Sequence, residues 1–244
     1  MKRDKILEDL VTLTQSIEGW LSPTEGILLF NLAKSCEGKG YIVEIGSWKG
    51  RSTVWLGWGS KFGKNLKVFA IDPHIGSSEH IQRFGKIDTF NEFLQNIKAQ
   101  KLDDIVVPLR CTSYEASTIL KEPVELIFID GAHEYDMVKQ DFELWFPKLV
   151  EGGIMAFHDT DSYKRDGPRR VVEEFLYKSQ FFKDVRFVDS ITYGKKVARN
   201  SRLDRIKNHY SLLLLRFRIV IAAKIHLPKT LRKIGKKLIN FLQL

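Results

Sequence analysis

The chain has 244 residues, 43% of them hydrophobic and 28% charged, enough for one α/β domain with appendages or two small domains. That composition excludes a disordered, collagenous or disulfide-framework protein. The net charge of +9 is a property of one end: residues 201–244 hold eleven Lys and Arg against a single acid, Asp204, and residues 1–200 are close to neutral at −1.

Charges interleave the opening MKRDKILEDL, so no apolar signal-peptide core is present there. An amphipathic helix is predicted over Lys5–Ile17. A second follows Ser22-Pro23-Thr24-Glu25, with Ser22 as N-cap, Pro23 at the first helical position and Glu25 at the third. From Tyr41 onward short β-branched runs alternate with helical patterns. Strands are predicted at Tyr41–Ile45, Leu66–Ile71, Ile105–Pro108, Glu125–Asp130 and Gly153–His158, and a final pair at Asp184–Val188 and Ile191–Val197. Helices fall at Arg51–Trp58, Asp88–Gln100, Ser113–Leu120, Asp136–Leu149 and Pro168–Lys178. This rhythm predicts a doubly wound, mostly parallel seven-stranded sheet with helices on both faces. The only cysteines, Cys36 and Cys111, lack CxxC or Cys/His spacing and read as reduced, buried thiols.

The composition breaks near Arg199–Ser201, which divides the chain into a helical cap (1–36), a central domain (37–200) and a basic helical tail (201–244). No stretch reaches the roughly 18 uncharged apolar residues of a membrane span; Leu212–Ala223 is interrupted by Arg216 and Arg218. Beyond Pro228, Leu231, Ile234, Leu238, Phe241 and Leu242 recur at near-helical spacing opposite Lys229, Arg232, Lys233, Lys236 and Lys237. Such a tail packs on the body, makes a homo-oligomer interface, or attaches peripherally to an anionic inner-membrane surface. The expected location is cytoplasmic, with that surface as the alternative.

The candidate chemistry sits where strands end. The first strand runs into Glu44-Ile45-Gly46-Ser47-Trp48-Lys49-Gly50, a glycine turn opening a helix whose free N–H groups suit an anion. It is neither the G-x-G-x-x-G of dinucleotide sites nor the triphosphate loop. The second strand ends in Asp72, placed to accept the two hydroxyls of a ribose across the switch point of the sheet. Apolar residues lead the fourth strand into Asp130, and the fifth ends in His158-Asp159. Adjacent strand ends lie about 4.8 Å apart, so Asp130, Asp159 and His158 form a candidate site for a divalent cation, with His133 in reach as a base.

These strings, VEIGSWKGRSTVWL, AIDPH and LIFIDGAHEYDMVKQDFELWFPKLVEGGIMAFHD, resemble the class I S-adenosylmethionine-dependent methyltransferases, nearest the small-molecule O-methyltransferases of macrolide-sugar and cephalosporin-cluster type. The resemblance covers about Gly19 to Val197 and implies a Rossmann-like fold. It implies that Glu44, Gly46, Ser47 and Gly50 shape the methionine end of S-adenosylmethionine, that Asp72 binds the ribose, and that His74 and Ser113 lie near the adenine. It further implies that Asp130 and Asp159 hold a divalent metal and that His133 is the general base. Position 158 is an acid in the metal-dependent members and histidine here, so either a mixed nitrogen and oxygen set better suited to Mn²⁺ or Fe²⁺ than to Mg²⁺ is formed, or His158 does not ligate.

The expected activity is methylation of a hydroxyl on a small molecule or a sugar or glycan, metal-assisted. Two alternatives compete with it: a nucleic-acid methyltransferase, disfavoured by the near-neutral body and by Asp130-Gly131-Ala132-His133 where an N6-adenine enzyme carries an Asn-Pro-Pro-Tyr type loop, and a noncatalytic scaffold, which would have no need of Asp72, Asp130 and Asp159 together. The acceptor loops, Gly76–Ile87 and Thr160–Gly167, carry no readable chemistry.

Overall fold

The computed structural model describes residues 2–76, 85, 87–162 and 166–224. The helix expected beyond Pro228, most of the acceptor loop Gly76–Ile87 and residues 163–165 of the other lie outside them. Two helices lead, α1 (Lys2–Thr14) and α2 (Pro23–Lys34). α1 ends three residues before Ile17 because the Arg51 guanidinium donates to the carbonyls of Thr14 and Gln15, which a continuing helix would need. α2 starts as the sequence predicts: Ser22 Oγ accepts the Glu25 amide and Glu25 accepts the Ser22 amide, at 3.2 and 2.7 Å. Ser22 Oγ also donates to Asp189 at 2.9 Å. Ser22→Ala is therefore expected to cost about 1 kcal/mol, read as a melting temperature lower by roughly 2–4 °C.

Strands and helices then alternate. β1 (Tyr41–Ile45), α3 (Arg51–Lys61), β2 (Val68–Ile71), α4 (Phe90–Ala99), β3 (Val106–Leu109), α5 (Ser113–Ile119), β4 (Val124–Ile129), α6 (Tyr135–Trp145) and β5 (Leu149–Phe157) form the parallel part. α7 (Gly167–Val172), β6 (Phe182–Val188), β7 (Ile191–Lys196) and α8 (Arg202–Lys224) complete the described chain. The helix predicted over Pro168–Lys178 becomes α7 followed by a π turn at Glu173–Tyr177, which brings the adjacent Leu176 and Tyr177 into the core together.

The seven-stranded sheet has the order β3-β2-β1-β4-β5-β7-β6, with β7 antiparallel to β5 and β6. Side chains of β4 alternate between two cores. Leu126 and Phe128 pack with Leu29, Phe30 and Trp55 of α2 and α3, whereas Ile127 and Ile129 pack with Trp145, Leu176, Phe182 and Leu212 on the opposite face. The strand order reverses between β1 and β4, so a crevice opens beyond their carboxyl ends.

The described part of the basic tail, α8, packs on the body. It begins at a Ser201/Asp204 capping pair, and Leu212, Leu215 and Ile219 join the core. Asn208 accepts the Val185 amide and donates to the Phe182 carbonyl, satisfying an irregularity of the edge strand β6 between Lys183 and Arg186. Cys36 and Cys111 are free thiols, and burial, with Glu125 and Glu37 nearby, pushes Cys36 up to about 12. Among the described residues no helix is long and apolar enough to cross a membrane.

Candidate active site

Backbone hydrogen bonds continue one residue past each strand. Gly46 donates to Ile71, Asp72 to Leu109, Asp130 to Ile45 and His158 to Ile129, at 2.8–3.2 Å, so these four positions stand level at the carboxyl edge of the sheet. Chain-distant residues are thereby gathered along one crevice.

At the tip of β1 the chain turns through Gly46 and Gly50, with φ of +85° and +91°. A Cβ on Gly46 would lie 2.3 Å from the Asp130 carbonyl oxygen, so the turn sits directly on the next strand and admits only glycine. Gly50 leaves the first turn of α3 without a side-chain cap, keeping its amides available to an anion. Glu44 is fully buried and accepts from Thr53 Oγ1. Burial, reinforced by the charges of Asp130 and Asp72 and opposed by the hydroxyls of Ser52 and Thr53, raises its carboxyl to about 8.

At the tip of β2, Asp72 Oδ2 accepts the amides of Ser47 and Trp48 at 3.0 and 2.8 Å, and Oδ1 accepts the amide of His74 at 2.6 Å. One carboxylate thus joins the β1 and β2 turns. Trp48 and His74 both adopt left-handed backbone, φ +48° and +59°, which these bonds hold in place. The His74 ring is fully buried, with Nδ1 2.9 Å from Thr89 Oγ1 and its ring about 5 Å from those of Phe90 and Phe93. Burial lowers its affinity for a proton, partly offset by Asp72.

Asp130, His158 and Asp159 meet at the ends of β4 and β5, each offering one ligand atom within 4.8 Å of the others. His158 Nδ1 lies 2.9 Å from Asp130 Oδ1 and 3.6 Å from Asp159 Oδ2, and its Nε2 lies 3.7 Å from Glu25 Oε2. Burial opposes its charge, but the three carboxylates raise its pKa well above the ordinary histidine value. Burial raises Asp130 despite the pull of His158. Asp159 is held well below the carboxylate range because His133 and His158 outweigh its burial. Its backbone is left-handed, φ +55°. His133 Nε2 is 2.9 Å from Asp159 Oδ2, in the arrangement of a base oriented by a carboxylate.

The structure therefore brings Glu44, Gly46, Ser47, Gly50, Asp72 and His74 to one side of the crevice and Asp130, His133, His158 and Asp159 to the other. Ser113 stands apart in its bonding: its hydroxyl accepts the Trp145 indole N–H at 2.8 Å and also bonds Asp141, which burial pushes up to about 6. In the sequence Glu25 carries only the signature of a helix cap. It is buried beneath His158, and its Oε1 accepts both the amide and hydroxyl of Ser190, at 2.8 and 2.6 Å. Burial would raise Glu25, yet His158, Ser190 and the Ser22 amide hold it at about 2. No local pattern marks a contact across 133 positions; an acid at the third helical position satisfies the capping rule without it.

Residues 43–160 match a family model described as a methyltransferase domain. A protein of Acanthamoeba polyphaga mimivirus is 30% identical over 141 residues, 56% of this chain and 59% of that protein, so the chain spans under two thirds of this relative. Among solved structures, the O-methyltransferase from Bacillus cereus in complex with S-adenosylhomocysteine aligns with a TM-score of 0.55 and 19% identity over 79% of this chain and 91% of that one. The O-methyltransferase TomG of Streptomyces achromogenes, involved in tomaymycin synthesis and bound to S-adenosylmethionine, aligns with a TM-score of 0.56 and 14% identity over 79% and 89%. Residues 43–160 thus match a methyltransferase-domain family, and the chain carries the fold of these S-adenosylmethionine- and S-adenosylhomocysteine-bound O-methyltransferases.

Proposed function

We propose that the protein transfers the methyl group of S-adenosylmethionine to a hydroxyl of a small molecule or a sugar or glycan. One observation carries the cofactor half of this reading. Glu44 Oε1, Ser47 Oγ and His74 Nε2 are buried polar atoms without a hydrogen-bond partner among the described residues; Glu44 lies near the end of β1, and Ser47 and His74 in the turns that follow β1 and β2. Buried polar atoms are nearly always paired, so a cluster of unpaired ones fits a polar ligand that completes them. Titration calorimetry with S-adenosylmethionine and S-adenosylhomocysteine tests this: saturable binding is expected, and none would leave a scaffold.

The transfer is an in-line displacement. An acceptor oxygen attacks the methyl carbon, the C–S bond breaks, and its electron pair neutralises the sulfonium to leave S-adenosylhomocysteine, while the acceptor proton passes to a base. The chain's work is alignment and proton removal. His133, oriented by Asp159, takes the proton.

The second cluster fits a divalent cation: neither ring nitrogen of the buried His158 makes an aligned hydrogen bond among the described residues, and the two carboxylates beside it complete a nitrogen and oxygen donor set. Asp130, His158 and Asp159 would hold the ion, which would supply Lewis-acid lowering of an acceptor hydroxyl's pKa. The mixed set suits Mn²⁺ better than Mg²⁺.

Glu44 gives the cofactor site a proton-linked signature. Its folded pKa of about 8 exceeds the ordinary value of 4.5, so between these the folded protein holds a proton that the unfolded chain has released. Stability of the free protein should therefore fall as pH rises from about 4.5 to 8. A ligand presenting an ammonium or sulfonium favours the ionised carboxylate. At pH 7 cofactor binding should release up to about one proton, seen as a dependence of the binding heat on buffer ionisation enthalpy, and Glu44→Gln should remove that dependence.

A further inference from the structure

α8 has two faces. Asn208, Leu212, Leu215 and Ile219 turn inward and are buried. Leu203, Ile206, Tyr210, Leu213, Phe217 and Val220 follow one another at steps of three and four and are 47–70% exposed. They form a continuous apolar stripe along a helix whose other side is already satisfied by the core. The exposed residues bordering the stripe are Arg202, Arg205, Lys207, His209 and Arg216, and no exposed position from 202 to 220 is acidic.

Charge decides what covers this stripe. Two copies pairing through it would bring cations to both flanks of a helix pair, where stable pairs place opposite charges. The sequence 229–244 is equally basic and would meet the same repulsion if it folded back. We propose that α8 docks in the headgroup region of an anionic lipid bilayer, with the stripe at the acyl boundary and the bordering bases among lipid phosphates. This rests on α8 alone and is independent of the methyl-transfer reading.

The test is sedimentation of the full chain with vesicles of phosphatidylcholine containing about one third phosphatidylglycerol, against phosphatidylcholine alone. Binding to the anionic vesicles only is expected, weakening with salt. Leu213→Asp/Phe217→Asp, two changes at exposed positions, should lower the vesicle partition coefficient at least about tenfold. Arg202→Ser/Arg205→Ser/Lys207→Ser should do the same without touching the stripe, and answers the case in which the double variant fails to fold. Far-ultraviolet circular dichroism and the thermal unfolding midpoint should be unchanged in both, which separates lost docking from a lost fold. Absence of wild-type binding, binding undiminished in both variants, or a dimer in light scattering that the double variant dissociates would each overturn the proposal.

Discussion

Replacing His133 by alanine is expected to lower methyl transfer by about 10²-fold or more while leaving cofactor affinity nearly intact. His133 follows Asp130 at the end of β4 and its Nε2 lies 2.9 Å from the Asp159 carboxylate, which remains ionised well below its usual range. The tautomer that donates Nε2–H to Asp159 makes Nδ1 the basic nitrogen, and the neighbouring negative charge stabilises the imidazolium formed when a proton arrives. An aliphatic hydroxyl has a pKa far above 7, so without a base the attacking oxygen keeps its proton until late in the displacement. The hydrogen bonds described at the β1 and β2 turns run through Asp72, Ser47, Trp48, His74 and Thr89 and do not involve His133. Turnover of the substituted protein, with any acceptor that the wild type methylates, measured beside calorimetry with S-adenosylhomocysteine, separates the two effects; unchanged turnover removes His133 from the mechanism.

The reverse pattern is expected for Asp72→Ala, which should weaken cofactor binding at least about 10²-fold. The Asp72 carboxylate accepts three amides, from Ser47, Trp48 and His74. Hydrogen bonds to a charged group contribute about 1.5–3 kcal/mol each. Two of the three donors, Trp48 and His74, adopt left-handed backbone that non-glycine residues avoid at a cost of about 1–3 kcal/mol. Truncation frees both turns to relax, in addition to deleting the oxygens proposed to accept the ribose hydroxyls. Calorimetry with S-adenosylhomocysteine measures the loss, and affinity within threefold of wild type would refute it.

What the sequence makes legible depends on how local the physics is. β1 is predicted to the residue because Tyr41–Ile45 is a buried central strand bounded by glycines. The Ser22 cap is legible because its partner lies three residues away. β5 begins at Leu149, four residues earlier than predicted, because Leu149 pairs with Val124 ahead of an irregularity that includes Gly152 and Gly153, beyond which the ladder resumes at Ile154; the two glycines break the apolar run that marks a strand. The placement of β7 between β5 and β6 has no local signal, since either strand of that hairpin could pair with β5. α8 is obscured differently: its inward positions Leu212, Leu215 and Ile219 and its outward stripe are both apolar at helical spacing, and the abrupt rise in charge at residue 201 marks a boundary that the packing does not respect. In the site, strand-end acids are legible because a buried apolar run must end where the sheet ends. Asp72 is legible as an acid but not as the brace of two turns.

Glu25 makes the leading helices inseparable from the proposed site around His158. Its carboxylate caps α2, grips Ser190 in the β6–β7 turn and lies beneath His158, so three remote stretches of chain converge on one buried negative charge. The family match begins only at residue 43. A protein trimmed to that match would keep every strand-tip acid yet lose the anion under the imidazole. Relatives that share the central segment but differ ahead of it therefore need not share this chain's proton balance.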